Sequence, residues 1–394
     1  MVARSQVRTP VACAQPVPPD PTLFQPPLRP LCLLLLPRAL EGFLLRDQAK
    51  DLLRAPGVLA LDPPVVRYGV LGRLPGALAD IVAAGQARRL VRTLAREARR
   101  DPARGGVPRV VVIFHPLQYI LARAIIGTAG GECELWYGRW DRYEHAYDAG
   151  PRLRRRLTEL HEQAASRAQI TFVASDALAD IERDAGREAT LVPLSADGFP
   201  APDPLGGHGP DGERRPPVVA VSLGHLGWRT DWALLHEVSR RMPELILLLV
   251  GAWHDEECRE DPDYAACRAA PNLVWLGTQS DEAAARLILC ADVGIVPFKV
   301  EPFNDAGLPF RILKYALLGR RTVSPALSGV RTWARAVTTA RDAHEFVDAL
   351  RANAGVRAAP DLALRDWALA QTASRQNAPL WDRLVEIGVD TQGA

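Results

Sequence analysis

The sequence predicts an α/β protein made of two Rossmann-like, doubly wound domains that face each other across a cleft. Short apolar runs that suit buried parallel strands alternate with longer amphipathic stretches that suit helices. The alternation is interrupted at residues 200–216, which are rich in Pro, Gly and charged side chains and which we interpret as a linker. The chain has 394 residues, enough for two domains of ordinary size.

Composition narrows the class of protein. Hydrophobic residues make up 48% of the chain and charged residues 24%, as is usual for a globular protein. The net charge of +2 argues against a nucleic-acid partner. The six cysteines form no C-x-x-C pair, which fits reduced thiols in a cytoplasmic protein. The apolar run at 31–37 is far shorter than the roughly 18–20 residues that span a membrane.

The first domain is predicted to cover residues 31–199, after a Pro-rich tail at 1–30 that we expect to be disordered. Its apolar runs predict strands at 31–36, 58–61, 109–114, 134–137, 170–174 and 189–193. The stretches between them predict helices at 39–53, 81–99, 117–127, 153–167 and 176–183, with Ser175 as the cap of the last. Strands that alternate with helices predict a parallel sheet.

The second domain is predicted to cover residues 217–365 and to repeat this pattern. Strands are expected at 218–222, 245–250, 273–276, 293–297 and 321–324, and helices at 232–240, 280–289, 310–318 and 343–352. Residues 366–394 are predicted to form a helical segment that could cross back onto the first domain. In sheets of this kind ligands bind at the carboxyl ends of the strands, so we expect the site in the cleft.

Residues 291–325 are the most informative stretch. A strand is followed by a polar loop, and Pro309 stands where the first turn of a helix tolerates proline. Arg311 lies in that first turn, and Gly319 is a typical helix stop. Helix N-termini and arginine side chains both favour phosphate oxygens. This stretch therefore predicts a phosphate-binding element.

The same stretch resembles the donor-binding segment of bacterial GT-B glycosyltransferases. Pro309, Arg311, Tyr315, Ala316 and Gly319 approximately fill that family's pattern, with Arg311 in place of a lysine that contacts the donor diphosphate. The resemblance implies a metal-independent hexosyltransferase in polysaccharide, glycolipid or glycoconjugate biosynthesis. It would use a nucleotide-diphosphate sugar, with UDP favoured, and no cofactor.

The chain departs from the family pattern at Lys314, a position that is usually a ribose-binding Glu. A glucuronosyltransferase of the same fold class also lacks this Glu. The sequence leaves two alternative functions open. One is a nucleotide-sugar epimerase with this fold, and the other is a non-catalytic subunit that activates a partner glycosyltransferase.

The donor site is predicted from three loops of the second domain. The loop after the 218–222 strand carries two glycines and resembles the family's donor loop, although glycines there could also form a simple turn. A hydrophobic-Gly turn at 276–278 and the polar loop at 298–305 are expected to face the same cleft. The predicted donor-binding residues are Gly224, His225, Leu226, Arg229, Gly277, Thr278, Phe298, Glu301, Asn304, Asp305, Phe310, Arg311 and Lys314.

The acceptor site is predicted in the first domain. Asp141 follows a strand end, and a carboxylate there could take the proton of an acceptor hydroxyl. The alternative interpretation is that Asp141 only caps a helix or pairs with Arg139 or Arg142. The predicted acceptor-binding residues, which also include the competitors for the role of base, are His115, Trp140, Tyr143, Glu144 and His145. The acceptor is expected to be a carbohydrate or lipid-linked sugar.

We assign no catalytic role to two charged runs. The run at 254–257 begins with a histidine and continues with acidic residues, and we interpret it as a solvated loop rather than a metal site. The arginines at 152–156 are expected to form a solvated helix face. The alternative for these arginines is peripheral contact with an anionic membrane surface.

Overall fold

The computed structural model describes residues 28–61, 66–101, 105–130, 132–147, 149–201, 217–353 and 360–391. The predicted tail as far as residue 27, the linker from residue 202 onward and the last three residues lie outside these ranges. Within the described ranges, no helix combines the length and the apolar composition needed to cross a bilayer.

The first sheet has six parallel strands in the order β2-β1-β3-β4-β5-β6. The strands are β1 (Pro30–Leu35), β2 (Val58–Leu61), β3 (Val107–Ile113), β4 (Glu134–Arg139), β5 (Ile170–Val173) and β6 (Thr190–Leu191). The helices around them are α1 (Arg46–Leu52), α2 (Tyr68–Leu71), α3 (Gly76–Arg100), α4 (Tyr119–Ala129), α5 (Pro151–Arg167) and α6 (Asp176–Asp184). The apolar central strands are buried because helices cover both faces of the sheet.

The second sheet also has six parallel strands, in the order β12-β11-β10-β7-β8-β9. They are β7 (Val218–Leu223), β8 (Leu245–Val250), β9 (Leu273–Gly277), β10 (Val293–Ile295), β11 (Thr322–Pro325) and β12 (Val337–Ala340). The helices are α7 (Trp232–Arg241), α8 (Asp255–Cys258), α9 (Pro262–Ala269), α10 (Asp281–Cys290), α11 (Pro302–Asp305), α12 (Arg311–Ala316) and α13 (Ala343–Asn353). This doubly wound order directs the loops after β7, β8, β9 and β10 to one end of the sheet.

The C-terminal helices pack on the first domain. They are α14 (Leu362–Leu369), α15 (Ala373–Gln376) and α16 (Ala378–Glu386). The buried carboxylate of Asp51 in α1 accepts hydrogen bonds from Asn377 Nδ2 at 2.9 Å and from Trp381 Nε1 at 3.0 Å. Ala373 N donates to Asp197 at 3.0 Å. Asp361, just before α14, pairs with Arg321 of the second domain at 3.0 Å, so the end of the chain contacts both domains.

Most predicted strands and the predicted cap at Ser175 are confirmed, and Ser280 caps α10 in the same way. Ser175 Oγ accepts from Leu178 N, and Ser280 Oγ accepts from Ala283 N. The helix predicted at 39–53 was too long: a 3-10 turn (Leu40–Gly42) precedes α1, because glycine at this point disfavours a continuous helix. The helix predicted at 310–318 is shorter than expected, and β12 was not predicted.

Candidate functional site

The loops after β7 and β8 meet at a close backbone contact. Gly224 has φ +109° and Gly251 has φ +153°, values that favour glycine. A Cβ on Gly251 would lie 1.7 Å from the carbonyl oxygen of Gly224, so any side chain there would collide with the backbone. Gly224 N donates to Val250 O at 2.7 Å. These contacts leave the end of β7 open for a side chain from α12.

Tyr315 fixes α12 to the strand ends. Its hydroxyl accepts from Leu223 N at 2.9 Å and donates to Ile295 O at 3.3 Å, so it joins β7 and β10. A Cβ on Gly294 would lie 2.2 Å from the Tyr315 ring, and glycine therefore allows the ring to lie against β10. The consequence is that Arg311, one turn earlier, is held at the same end of the sheet.

Arg311 and Arg229 contact the same aromatic ring. Their guanidinium carbons lie 4.6 Å and 4.7 Å from the centroid of the Phe298 ring. Arg311 Nη1 also donates to Ser222 Oγ at 3.4 Å, and its guanidinium lies against Gly224. Arg229 Nε donates to Asn304 Oδ1 at 2.9 Å. Two cations are thus fixed by a ring and by neutral groups.

In the part of the chain that the structure describes, neither of these arginines is paired with a carboxylate, since neither Arg229 nor Arg311 forms a salt bridge. Burial lowers the pKa of Arg311 to about 10, so the guanidinium remains charged at neutral pH. Partly buried cations without a salt-bridge partner are suited to an anionic ligand.

Asp141 faces the second domain from the loop after β4. A Cβ on Gly307 would lie 3.0 Å from Asp141 Oδ1, which places the carboxylate against the loop before α12. Burial raises the pKa of the Asp141 carboxyl above its ordinary value, and the positive charge of Arg229 opposes this shift. Arg139 and Arg142 both pair with Glu144 instead, at 2.8 Å and 3.1 Å. Among the described residues Asp141 has no salt-bridge partner.

Comparisons with known proteins agree with this architecture. No family model matches the chain. A Bacillus subtilis (strain 168) protein named as a teichuronic acid biosynthesis glycosyltransferase, TuaH, is 24% identical over 110 residues. The match covers 28% of this chain and 27% of TuaH, so it spans about a quarter of that relative's length.

Two solved structures match nearly end to end. Anabaena HepE, in complex with UDP and glucose, has a TM-score of 0.63 at 14% identity, over 90% of this chain and 99% of HepE. Sucrose-phosphate synthase from Thermosynechococcus elongatus has a TM-score of 0.64 at 14% identity, over 91% of this chain and 99% of the synthase. The chain has the GT-B fold.

In the GT-B cleft, several predicted donor residues are engaged in the protein itself. Phe298 and Asn304 are buried, at 3% and 1% exposure, so neither ring nor amide lies open to a ligand. Asn304 Nδ2 donates to Lys299 O and to Tyr147 Oη, and Asp305 Oδ1 accepts from Ser328 N. Leu226 is in the core, and its backbone bonds to Ala252 and His254. Burial therefore favours a supporting role for the side chains of Leu226, Phe298 and Asn304 over the direct ligand contact that the sequence predicted.

Two further donor candidates lie at the contact between the GT-B domains. Glu301 Oε2 accepts from Tyr147 Oη at 2.6 Å. Lys314 Nζ pairs with Asp281 at 3.1 Å and lies 4.3 Å and 5.4 Å from the ring centroids of Phe199 and Phe310. Asp281 also accepts from Arg46 of the first domain. Lys314, which occupies the position of the Glu in the family pattern, is therefore paired with the carboxylate of Asp281.

A groove of about 380 Å³ lies at the ends of β8 and β9, beside the Gly224 loop. Gly277 and Thr278, both predicted, line it together with Trp253 and Trp275. Trp253 is 39% exposed, and its ring lies 4.4 Å from the Arg268 guanidinium. Trp253 was not among the predicted site residues, although its position two residues after Gly251, which directly follows β8, was an available signal.

The predicted acceptor residues lie in the loops after β3 and β4. Trp140 is buried at 5% exposure, and Tyr143 Oη donates to Phe114 O, so both support the loop, and their contact with an acceptor stays a prediction. His115 accepts from Leu117 N, and burial lowers its pKa to about 4, which makes it a weak base. Arg142 contacts both Glu144 and His145. Asp141 remains the candidate base whose carboxylate is not already paired in this loop.

Proposed function

We propose that this chain is a glycosyltransferase that moves a sugar from a nucleoside diphosphate sugar to an acceptor hydroxyl. The observation that carries the proposal is the pair Arg229 and Arg311 on Phe298, two guanidinium groups without a salt-bridge partner among the described residues. A diphosphate leaving group gains negative charge during transfer, and fixed cations stabilise that charge. Helix α12 has six residues, so the arginines rather than its dipole supply the main positive potential.

UDP is the favoured nucleotide. The groove with Trp253, Gly277 and Thr278 lies beside the Gly224 loop and offers an aromatic ring and backbone groups, which suit a planar base. The similarity to HepE, whose structure contains UDP and glucose, supports the same nucleotide here. The similarity to TuaH, which is named for teichuronic acid biosynthesis, supports an acceptor from polysaccharide assembly. The glucose in the HepE structure supports a hexosyl group as the sugar transferred.

Asp141 is the proposed base. The acceptor hydroxyl would lose its proton to the carboxylate as its oxygen attacks the anomeric carbon, and the diphosphate would leave with the bonding electrons toward the arginines. Attack opposite to the leaving group would invert the anomeric centre. Because Arg311 and Arg229 supply positive charge at the diphosphate, the proposed step needs no metal there.

The test is calorimetric titration of the purified chain with UDP, GDP, dTDP and ADP. We expect UDP to bind most tightly, and Arg311→Ala to weaken that binding by about 1.5–3 kcal/mol, the scale of a hydrogen bond to a charged group. Arg311→Lys should retain part of the affinity because it keeps the charge. Arg240→Ala is the matched control, since it removes an exposed arginine that pairs with Glu237 in α7. Equal UDP affinity in all four proteins would refute the proposed diphosphate site.

The alternative functions are separated by the products. Incubation with UDP-sugars and a saccharide acceptor should give UDP and an elongated acceptor. Isomerised sugar nucleotide without transfer would identify an epimerase. Binding of no nucleotide at all would favour a non-catalytic subunit.

A further inference from the structure

A cluster of metal-binding side chains lies beside the Gly224 loop. His225 follows Gly224, while His254 and Glu257 stand at the start of α8. One ligand atom from each of the three lies within 4.8 Å of the others, and it is the only such cluster found among the residues that the structure describes. His225 Nε2 is 2.8 Å from Glu257 Oε2, and His254 Nδ1 is 3.3 Å from Glu257 Oε1.

These separations fit a shared divalent ion. Two ligands at about 2.0–2.1 Å from zinc and at a tetrahedral angle lie about 3.3 Å apart. The His254–Glu257 separation already has this value, and the His225–Glu257 separation is shorter because a hydrogen bond joins the two groups. A common metal would move the His225 and Glu257 ligand atoms apart by about half an ångström. It would also draw together the ligand atoms of His225 and His254, which lie within 4.8 Å of each other on partly exposed side chains.

The backbone around the cluster is fixed before any ion binds. Trp228 N donates to Glu257 Oε2 at 3.2 Å, and this bond orients the carboxylate. His254 N donates to Leu226 O at 3.1 Å, which joins the two loops that carry the histidines. The imidazole rings are stacked, 4.1 Å apart with an angle of 30° between their planes, so one ring must turn before both nitrogen lone pairs point at one ion. Hydrogen bonds from the surrounding backbone to the ligand residues are a feature that distinguishes a metal site from a chance cluster.

Gly227 leaves the space between the ligand atoms open. A Cβ at this position would lie 2.0 Å from Glu257 Oε2 and 2.3 Å from His225 Nε2. Any other residue would therefore push the carboxylate and the imidazole out of place. Glycine thus allows the ends of the Glu257 and His225 side chains to approach each other over this backbone position.

We propose that His225, His254 and Glu257 form a binding site for a divalent transition metal, with zinc as the best fit. Two imidazoles and one carboxylate are typical zinc ligands, and three protein ligands leave a fourth position for water or an anion. This proposal differs from our sequence-based interpretation of residues 254–257 as a solvated loop. The site is separate from the arginine pair and does not depend on the proposed sugar transfer.

The pair His236 and Asp263 provides a matched control. His236 Nδ1 lies 2.8 Å from Asp263 Oδ1, the same separation as in His225–Glu257, but this pair belongs to no three-residue cluster in the described ranges. His236→Ala should therefore leave metal binding unchanged. His254→Ala removes one ligand, and Gly227→Ala removes none but fills the space between them.

The experiment is a titration of the full chain, freed of metal with a chelator, with zinc in competition with a chromophoric indicator. We expect one equivalent to bind, and both His254→Ala and Gly227→Ala to weaken binding at least tenfold. Cobalt(II) should give visible absorption without thiolate charge-transfer bands, since no cysteine is a ligand. Circular dichroism of each variant checks that the fold is kept.

Two results would overturn the proposal. One is the absence of stoichiometric binding to the unmodified chain. The other is binding that His254→Ala and Gly227→Ala do not weaken, or cobalt spectra with thiolate bands, because either would assign the ion to other side chains such as the cysteines.

Discussion

The carboxyl group of Asp141 is partly buried against Gly307 of the opposite domain, with Arg229 as a nearby positive charge. Burial raises the pKa of this carboxyl, so ionisation is less favourable in the folded chain than in the unfolded chain. The resulting contribution opposes folding above the raised pKa and disappears as the pH falls below the pKa of the unfolded chain. A catalytic base must nevertheless be ionised, so transfer should fail when the pH falls through the raised pKa.

Asp141→Asn tests this assignment. We expect sugar transfer to fall by about 10²- to 10⁴-fold, the usual contribution of a positioned base. UDP affinity should change little, and the melting temperature at neutral pH should stay equal or rise, because an unfavourable charge has been removed. The measurements are turnover, calorimetry and thermal unfolding. Full turnover by the asparagine variant would transfer the role of base to another group.

For individual residues, the sequence indicated which side chains lie near the cleft better than it indicated what each of them contacts. Phe298 and Asn304 were predicted to contact the donor. In the structure the Phe298 ring packs against two arginines, and the Asn304 amide bonds to backbone and to Tyr147. Lys314 was noted as a departure, but its partner Asp281 is 33 positions earlier. Such pairings depend on how distant loops approach each other, which local patterns do not specify.

At the scale of elements, Tyr315 joins α12 to two strands. Tyr315→Phe keeps the ring against Gly294 but leaves the buried Leu223 N without its acceptor. We expect a loss of about 1–3 kcal/mol in the free energy of unfolding, measured by urea denaturation, together with weaker UDP binding. Tyr264→Phe is the control: its hydroxyl donates to Asp255, which can turn to water, so the loss should be smaller. Equal losses would show that the strand link is not important.

The elements themselves were largely predictable, for a physical reason. Buried parallel strands are continuous apolar runs, and runs such as 245–250 coincide with the observed strand. The edge strand β12 has the sequence VTTA and is only partly buried, so it lacks this signal. The short helices α8 and α9 follow acidic loop sequence and were also missed. Edges and short helices are stabilised by tertiary contacts rather than by a local pattern.

At the scale of the molecule, the two domains are joined by polar contacts at several places. Ser175 Oγ donates to Ala306 O at 2.6 Å, and Arg331 pairs with Asp180 at 2.8 Å. Tyr147 of the first domain lies between aromatic residues of the second, with ring centroids 5.8 Å from Trp228 and 5.4 Å from Phe303. Its hydroxyl bonds to Glu301 and Asn304. Contacts of this kind suit domains that open and close around a ligand.

Tyr147→Ala should shift this balance toward an open cleft. The variant loses both ring contacts and both hydroxyl bonds at the point where Asp141 approaches Gly307. We expect a larger radius of gyration by small-angle X-ray scattering and a fall in kcat/KM, because the base and the arginines must meet around the substrates. Tyr147→Phe keeps the ring and should have an intermediate effect. Each domain should keep its own core, since Tyr147 lies outside both sheets, and near-native circular dichroism would verify this. If the scattering profile of Tyr147→Ala matched that of the unmodified chain, the contact would not control closure, and any fall in activity would have to come from local displacement of Asp141.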